Sequence, residues 1–99
     1  MMEKSYVGSI VRSVAGRDAK RIFVILTVED DSGDEGGYVW LADGRLRKFE
    51  KPKRKKLRHL RLLAEADPAL ADRIAGDSLT NRALYAYLQN YESMTHEDA

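Results

Sequence analysis

The most distinctive chemical feature of this sequence is a run of cations. Residues 45–61 contain ten lysines and arginines and a single acid, Glu50. Crowding these charges together costs electrostatic self-repulsion, which a phosphate backbone relieves while it releases its own counterions. We therefore predict that the run binds nucleic acid rather than serving only as a soluble surface. The predicted contact residues are Arg45, Arg47, Lys48, Lys51, Lys53, Arg54, Lys55, Lys56 and Arg58, and the four side chains at 53–56 are expected to face solvent.

A second group of cations lies in a predicted turn at residues 15–21. Gly16 permits a left-handed backbone there, and backbone N–H groups in such turns can face a phosphate. Arg17, Lys20 and Arg21 add positive charge to the same turn. We therefore predict that these four residues also contact phosphates.

Three aromatic residues, Phe23, Tyr38 and Trp40, could stack on unpaired bases. In a small β-domain such side chains more often fill the core, and we expect Trp40 to be a core residue. Tyr38 and Trp40 are two positions apart in a predicted strand, so they should share one face and be exposed or buried together.

Catalysis and metal binding find little support in the sequence. Neither His59, inside the basic run, nor His96, near the end, has the spacing of a catalytic triad. The acids between residues 29 and 37 do not match a calcium loop, and a solvated loop explains them better. Because the chain has no cysteine, disulfides and thiolate sites are excluded. We predict a protein that is not an enzyme and binds no metal or cofactor.

The length and the charge distribution of the chain limit the number of domains and indicate which part meets a polyanion. With 99 residues, 43% of them hydrophobic, the chain suits one folded domain with an appendage. Residues 1–61 carry 15 basic and 9 acidic side chains, whereas residues 62–99 carry 2 and 7. A polyanion should therefore meet the first part. No apolar run approaches the roughly 20 residues that span a bilayer. We expect a soluble, cytoplasmic protein without membrane contact; its oligomeric state is left open.

Short strands separated by turn signals make up residues 1–63. Strands are predicted at residues 8–14, 22–28 and 38–42, with a weaker one at 45–49 after a tight Asp43-Gly44 turn. The strand at 22–28 is mostly apolar and rich in β-branched residues, so both of its faces should be at least partly covered. Residues 57–63 fit either a last strand or a first helical turn. The fold class predicted is mainly β, with a small barrel at 1–63, because closure removes vulnerable sheet edges.

An acidic helical segment is predicted at residues 64–99. Asp67 is suited to cap a helix with Pro68 in its first position and Gly76 at its end. A second helix should begin near Ser78 or Thr80. Its apolar face would consist of Leu84, Tyr87, Leu88 and Tyr91. That face is expected to pack on the barrel or to dock a partner.

Several blocks of the sequence resemble KOW-type RNA-binding domains. Residues 7–11 (VGSIV), 15–18 (AGRD) and 21–25 (RIFVI) are similar to the opening of such a domain. Residues 41–60, LADGRLRKFEKPKRKKLRHL, resemble the second half of small bacterial members, which are related to the e-type large-subunit ribosomal protein numbered fourteen of archaea and eukaryotes. Leu79-Thr80-Asn81 and the following helix look like the ending of these proteins. The resemblance covers residues 6–90, and the second block is its most specific part.

The resemblance implies an SH3-like barrel that binds RNA, ribosomal RNA in particular, without catalysis and with ribosomal proteins as further partners. By position, Gly16, Arg17, Lys20 and the run after Gly44 would form the contact surface. One difference stands out: the family commonly has a glycine just before Arg21, where this chain has Ala19-Lys20.

A protein-interaction module is the alternative function. SH3-like barrels also bind peptides or acidic protein surfaces, and Tyr38 with Trp40 could line such a groove. The sequence leaves open which RNA would be bound and whether the protein is a constitutive or a regulatory component.

Overall fold

The computed structural model describes residues 6–16, 19–29, 37–76 and 78–95. In chain order the elements are β1 (Ile10–Ser13), β2 (Ile22–Glu29), β3 (Tyr38–Ala42), β4 (Lys53–Lys56), a 3-10 turn (Leu57–His59), β5 (Leu60–Ala64), α1 (Pro68–Ala75) and α2 (Asn81–Thr95). The strands form one antiparallel sheet in the order β4-β3-β2-β1-β5. Its edges, β4 and β5, do not pair within the described residues, so the sheet is not closed. The prediction of a mainly β fold with two C-terminal helices is confirmed.

Strand β2 separates two apolar cores, because its first half is buried on both faces, whereas Thr27 and Val28 farther along the strand are exposed. The prediction that both faces are at least partly covered is confirmed. Phe23 and Ile25 lie on one face, and the residues packed with them are Val11, Val39 and Leu41. Ile22 and Val24 lie on the other face, where the helices cover them through Leu70, Leu84 and Leu88, together with Leu79 from the segment between the helices. Residues 6–64 and the helices thus share one of the two cores.

Both helices begin, and α1 also ends, at residues that the sequence predicts. The Asp67 side chain caps α1 by accepting a hydrogen bond from the Ala69 amide, with Pro68 in the first helical position and Gly76 at the end. The Thr80 hydroxyl accepts from the Ala83 amide before the first full turn of α2. The predicted apolar face of α2 is confirmed: Leu84 and Leu88 are buried, and Tyr87 and Tyr91 pack against the same core.

The predicted strand at residues 45–49 is wrong. These residues belong to a loop organised by Asp43, whose Oδ1 accepts hydrogen bonds from the Arg45 and Arg47 amides at 2.9 and 2.8 Å. The Arg47 carbonyl accepts in return from the Asp43 and Gly44 amides. Since a carboxylate and a carbonyl close the loop on itself, its amides are unavailable to a sheet. The strand follows Pro52 instead, as edge strand β4.

Gly44 is the point where this loop meets α2. Its φ is +85°, and a Cβ there would collide with the carbonyl oxygen of Asn81. Asn81 also fixes the far end of the loop, because its Oδ1 accepts from the Phe49 amide at 2.9 Å and its Nδ2 donates to Glu50. The loop at 43–50 is therefore held against the first turn of α2 at both ends.

The sequence is compatible with either a strand or a helical turn at residues 57–63. In the structure these residues form the 3-10 turn and most of β5.

Of the helices that the structure describes, neither combines the length and apolar character required to cross a bilayer.

Candidate functional site

An open cleft of about 450 Å³ lies between the β1–β2 turn, the Asp43 loop and α2. Lys20 and Arg21 border it from the turn, Arg45 and Leu46 from the loop, and Tyr85 and Gln89 from α2. We call this the Tyr85 cleft. Lys20 and Arg21 of the predicted turn and Arg45, the first cation of the predicted basic run, thus lie around one cavity although they are far apart in sequence.

Arg45 and Tyr85 form the side-chain contact that joins the loop to the helix across this cleft. The Arg45 guanidinium donates a hydrogen bond to the Tyr85 hydroxyl at 2.8 Å, and its central carbon lies 5.3 Å from the ring centroid. Both the hydrogen bond and the cation–π geometry orient the guanidinium beside the ring. Arg45 is nevertheless exposed, so its charge faces solvent at the cleft.

Lys20 has a left-handed backbone with a φ of +76°, the only non-glycine residue so placed in the described ranges. It lies in the turn just before Arg21, where the KOW-type domains that the sequence resembles commonly have a glycine. An L-residue with a β-carbon pays about 1–2 kcal/mol for this conformation. Two hydrogen bonds hold it: its amide donates to the Ser13 carbonyl, and its carbonyl accepts from Arg12, both at 2.8 Å.

Lys55 ties β4 to the β1–β2 turn. Its Nζ donates a hydrogen bond to the Ala15 carbonyl at 2.9 Å and lies 3.4 Å from the position that a Cβ on Gly16 would occupy. Gly16 itself is exposed, with a φ of +78°. Of the four side chains at 53–56 that are predicted to face solvent, Arg54 is exposed and the three lysines are half-buried. For Lys55 the prediction is wrong, because its side chain crosses to the neighbouring turn.

A second group of cations and aromatic rings lies on the outer part of β3 and β4, and we call it the β3–β4 face. The Arg54 guanidinium lies 3.7 Å from the Tyr38 ring centroid and pairs with the Glu29 carboxylate at 2.9 Å. The Trp40 indole donates to the same carboxylate at 2.6 Å, and the Lys56 ammonium lies 5.9 Å from the Tyr38 ring. The hydrogen bond from Arg54, followed by the one from Trp40, holds the pKa of Glu29 below its usual range.

The expected core position of Trp40 is wrong. Trp40 and Tyr38 are both half-buried on the β3–β4 face, whereas Val39 and Leu41 between and beyond them are buried on the other side of the strand. The prediction that Tyr38 and Trp40 share a face and a degree of exposure is confirmed. Phe23 is a core residue, only 1% exposed.

The remaining predicted contact residues are spread over the same half of the chain. Lys48 and Lys51 are exposed in the loop before β4, Arg58 is exposed in the 3-10 turn, and Arg47 and Lys53 are half-buried. Arg17 lies outside the described residues.

The sequence-based predictions omit Leu46, Tyr85 and Gln89 from the candidate site. Tyr85 has a detectable signal, because it is an aromatic residue directly beside Leu84, outside the apolar stripe of α2. A large ring at the margin of such a stripe does not pack into the core, so it is available for a contact elsewhere. Its partner, the Arg45 loop, is far away in sequence, so the pairing itself has no sequence signal.

No cluster of three or more His, Asp and Glu side chains in the described ranges is arranged to hold a metal ion. No protein-family model matches this chain, and no curated protein matches it either. The resemblance to KOW-type proteins therefore stays a prediction that rests on the residues themselves.

Proposed function

We propose that this protein is a non-catalytic RNA-binding module of the cytoplasm that contacts the phosphates of structured RNA, with ribosomal RNA as its partner. The observation that carries the proposal is the meeting of the two predicted contact segments. Lys20 and Arg21 of the turn and Arg45 of the run line one cleft, and Lys55 of the run bonds the turn directly. Cations brought together by the fold from separate segments favour a shared polyanionic ligand.

The charge of this region is also accessible. Lys20, Arg21 and Arg45 are exposed, and further exposed cations follow in the loop before β4. Phosphate contacts from such side chains gain free energy mainly by counterion release, which requires no deep burial. Phosphates position a protein on RNA without reading its sequence, so structured RNA is the class of ligand that this surface fits best.

The SH3-like barrel implied by the family resemblance is part of the proposal. Two backbone hydrogen bonds support it, because they fasten the 3-10 turn between β4 and β5 to both sides of the open sheet. The Leu57 amide donates to the Gly37 carbonyl at 2.9 Å, and the Val14 amide donates to the His59 carbonyl at 3.0 Å. Leu57 and Leu60 pack against the core that contains Phe23. A sheet curled in this way would cover that core without pairing its edges.

Co-sedimentation with ribosomal subunits before and after RNase treatment tests the proposed function. If RNA holds the protein, the protein sediments with the large subunit and is released when the RNA is digested. Purified protein should in addition bind protein-free ribosomal RNA directly.

A complex that survives RNase while the purified protein fails to bind RNA would instead identify a protein-interaction module. The β3–β4 face would then be its docking surface, since half-exposed Tyr38 and Trp40 offer apolar area there. Absence of sedimentation together with absence of binding to purified RNA would contradict the proposal altogether.

A further inference from the structure

We infer that the Tyr85 cleft holds one unpaired nucleotide of the RNA, with the phosphate at Lys20 and Arg21 and the base against Arg45 and Tyr85. The inference rests on the proposed function and deepens it. It assigns to this surface a ligand that is single-stranded at the point of contact.

The lining of the cleft is the first argument. A site that only neutralises phosphates needs cations on an exposed surface, whereas this cavity also has apolar and aromatic walls. Leu46 is 58% exposed at its edge, and the buried side chains of Ile22 and Leu88 lie deeper. A cavity of about 450 Å³ falls within the range of small-ligand sites, which combine apolar walls with a few polar groups.

The position of the aromatic ring is the second argument. Arginine planes and tyrosine rings are the surfaces on which proteins stack unpaired bases. Here the hydrogen bond between Arg45 and the Tyr85 hydroxyl keeps both groups together before any ligand is bound. Gln89 lies one helical turn after Tyr85 on the same wall of the cleft and offers an amide that can both donate to and accept from a base edge.

Asp43 adds one negative charge to the lining of the cleft. The residue is only 9% exposed, with Oδ1 held by the amides of Arg45 and Arg47. A second phosphate or an acidic side chain beside this carboxylate would be repelled, whereas the amino group of a base could donate to it. This asymmetry favours a nucleotide over an acidic peptide.

The backbone of Lys20 is the third argument. Conformational strain in a turn persists where function requires it, and glycine would relieve the strain at this position. Keeping lysine there retains a positive charge at the entrance of the cleft. A phosphate bound at Lys20 would explain why a lysine occupies a position at which it lowers the stability of the fold.

Binding to two RNAs with equal numbers of phosphates tests the inference. One is a hairpin with an unpaired loop, and the other is a fully paired duplex. We expect the wild-type protein to bind the hairpin about tenfold more tightly, since stacking of one base on an aromatic side chain contributes between about fivefold and about a hundredfold. Tyr85→Leu should remove this preference and leave duplex binding within about twofold, and Tyr85→Phe, which keeps the ring, should retain it.

Tyr38→Leu is the matched control, because Tyr38 is the other half-exposed tyrosine that lies beside an arginine. It should leave the hairpin preference unchanged. A preference that survives Tyr85→Leu, or one that is lost in Tyr38→Leu, would overturn the inference while the proposed function stands. Wild-type protein that binds both RNAs equally would overturn it in the same way, whereas failure to bind either RNA would refute the proposed function itself.

Amide chemical shifts locate the ligand independently of affinity. Adenosine 5′-monophosphate should shift the amides of residues 44–47 and 85–89, and inorganic phosphate should shift only those near Lys20 and Arg21. Identical shifts with the two probes would show an anion site without a base and contradict the inference. Displacement of the nucleotide by a poly-glutamate peptide at equal concentration would assign the cleft to acidic peptides instead.

Discussion

The Tyr85 cleft and strand β4 are both rich in cations, yet they use them differently. In β4, Lys55 bonds the carbonyl of Ala15 and Arg54 is held by Glu29 and Tyr38. At the cleft, Lys20 and Arg21 are exposed, and Arg45 contacts the neutral side chain of Tyr85. The β4 cations are thus engaged within the chain, whereas the cleft cations surround an open cavity.

Cation density along a sequence therefore does not measure how many of the cations are available to a ligand. Binding gains from a cation only if the charge can meet a ligand without first leaving an internal partner. The register of the strands determines which cations have an internal partner. Arg54 lies opposite Trp40, and Glu29 lies opposite Tyr38 on the same face, so Arg54 meets both an acid and a ring. Mutations in the two regions should therefore separate stability from binding.

The largest effect on folding is expected from Lys55→Glu. This change removes the hydrogen bond to Ala15 and places a carboxylate against a carbonyl, so the free energy of unfolding should fall by about 1–3 kcal/mol. Lys48→Glu, the same charge reversal at an exposed position of the run, should alter it by no more than about 0.5 kcal/mol. Urea denaturation of both variants measures the difference. Equal stabilities would mean that Lys55 has no structural role.

Arg45→Gln and Arg54→Gln compare the two regions in binding. Arg45→Gln should weaken RNA affinity by about fivefold to tenfold at 0.1 M salt, because it removes a positive charge and the group that the base lies against. Arg54→Gln should weaken it by less than about twofold, because Glu29 already occupies this guanidinium. Fluorescence anisotropy with labelled ribosomal RNA fragments measures both. The reverse order of effects would shift the contact surface from the cleft to β4.

Lys20→Gly separates stability from binding within the cleft itself. Relief of the left-handed strain, about 1–2 kcal/mol, exceeds the cost of the added flexibility of the unfolded chain, about 0.4–1 kcal/mol. The variant should therefore be more stable by about 0.5–1 kcal/mol but bind RNA more weakly. Thermal unfolding and anisotropy measure the two effects, with Lys20→Ala as the control that loses the charge and keeps the strain. If the glycine variant gains no stability, the backbone of Lys20 is not strained.

The smallest effect is expected at the β3–β4 face, from the protonation of Glu29. Arg54 and Trp40 hold the pKa of this carboxyl below its usual range, so the pair persists at neutral pH. Since the folded-state pKa is the lower one, the stabilising contact is present above the unfolded-state pKa and is lost as the pH falls through the folded value. An NMR titration of the Glu29 carboxyl carbon should show this low midpoint, and Arg54→Gln should raise it. An unchanged midpoint in the variant would exclude Arg54 as the main cause.

Much of the fold could be predicted from local sequence. Apolar β-branched runs predict β1, β2 and β3, and the Asp67-Pro68 cap predicts the start of α1, because each depends on neighbouring residues alone. The strand expected at residues 45–49 failed because the Asp43 carboxylate captures two amides of its own loop, a contact that competes with sheet pairing. The core position expected for Trp40 was wrong because the alternation of side chains along a strand predicts the face on which a residue lies. It does not predict whether another element covers that face.

The candidate site was harder to predict, since its parts meet only in the folded chain. The cations at Lys20, Arg21 and Arg45 are evident from residue type, but their common cavity depends on how α2 packs against the Asp43 loop at Gly44. The bond from Lys55 to Ala15 links residues 40 positions apart. Long-range contacts of this kind leave no local pattern.

The salt dependence of RNA affinity tests whether the cations of this surface bind phosphates. If about five phosphates are neutralised, the logarithm of the association constant should fall against the logarithm of salt concentration with a slope of around −3.5 to −4.5. The triple variant Lys20→Gln, Arg21→Gln, Arg45→Gln should reduce the steepness by about 1–2, because two of the three cations contact phosphate, whereas the control Arg73→Gln, Arg82→Gln on the helices should keep the wild-type slope. A nearly flat wild-type dependence, or equal slopes for wild type and triple variant, would contradict RNA binding through these cations.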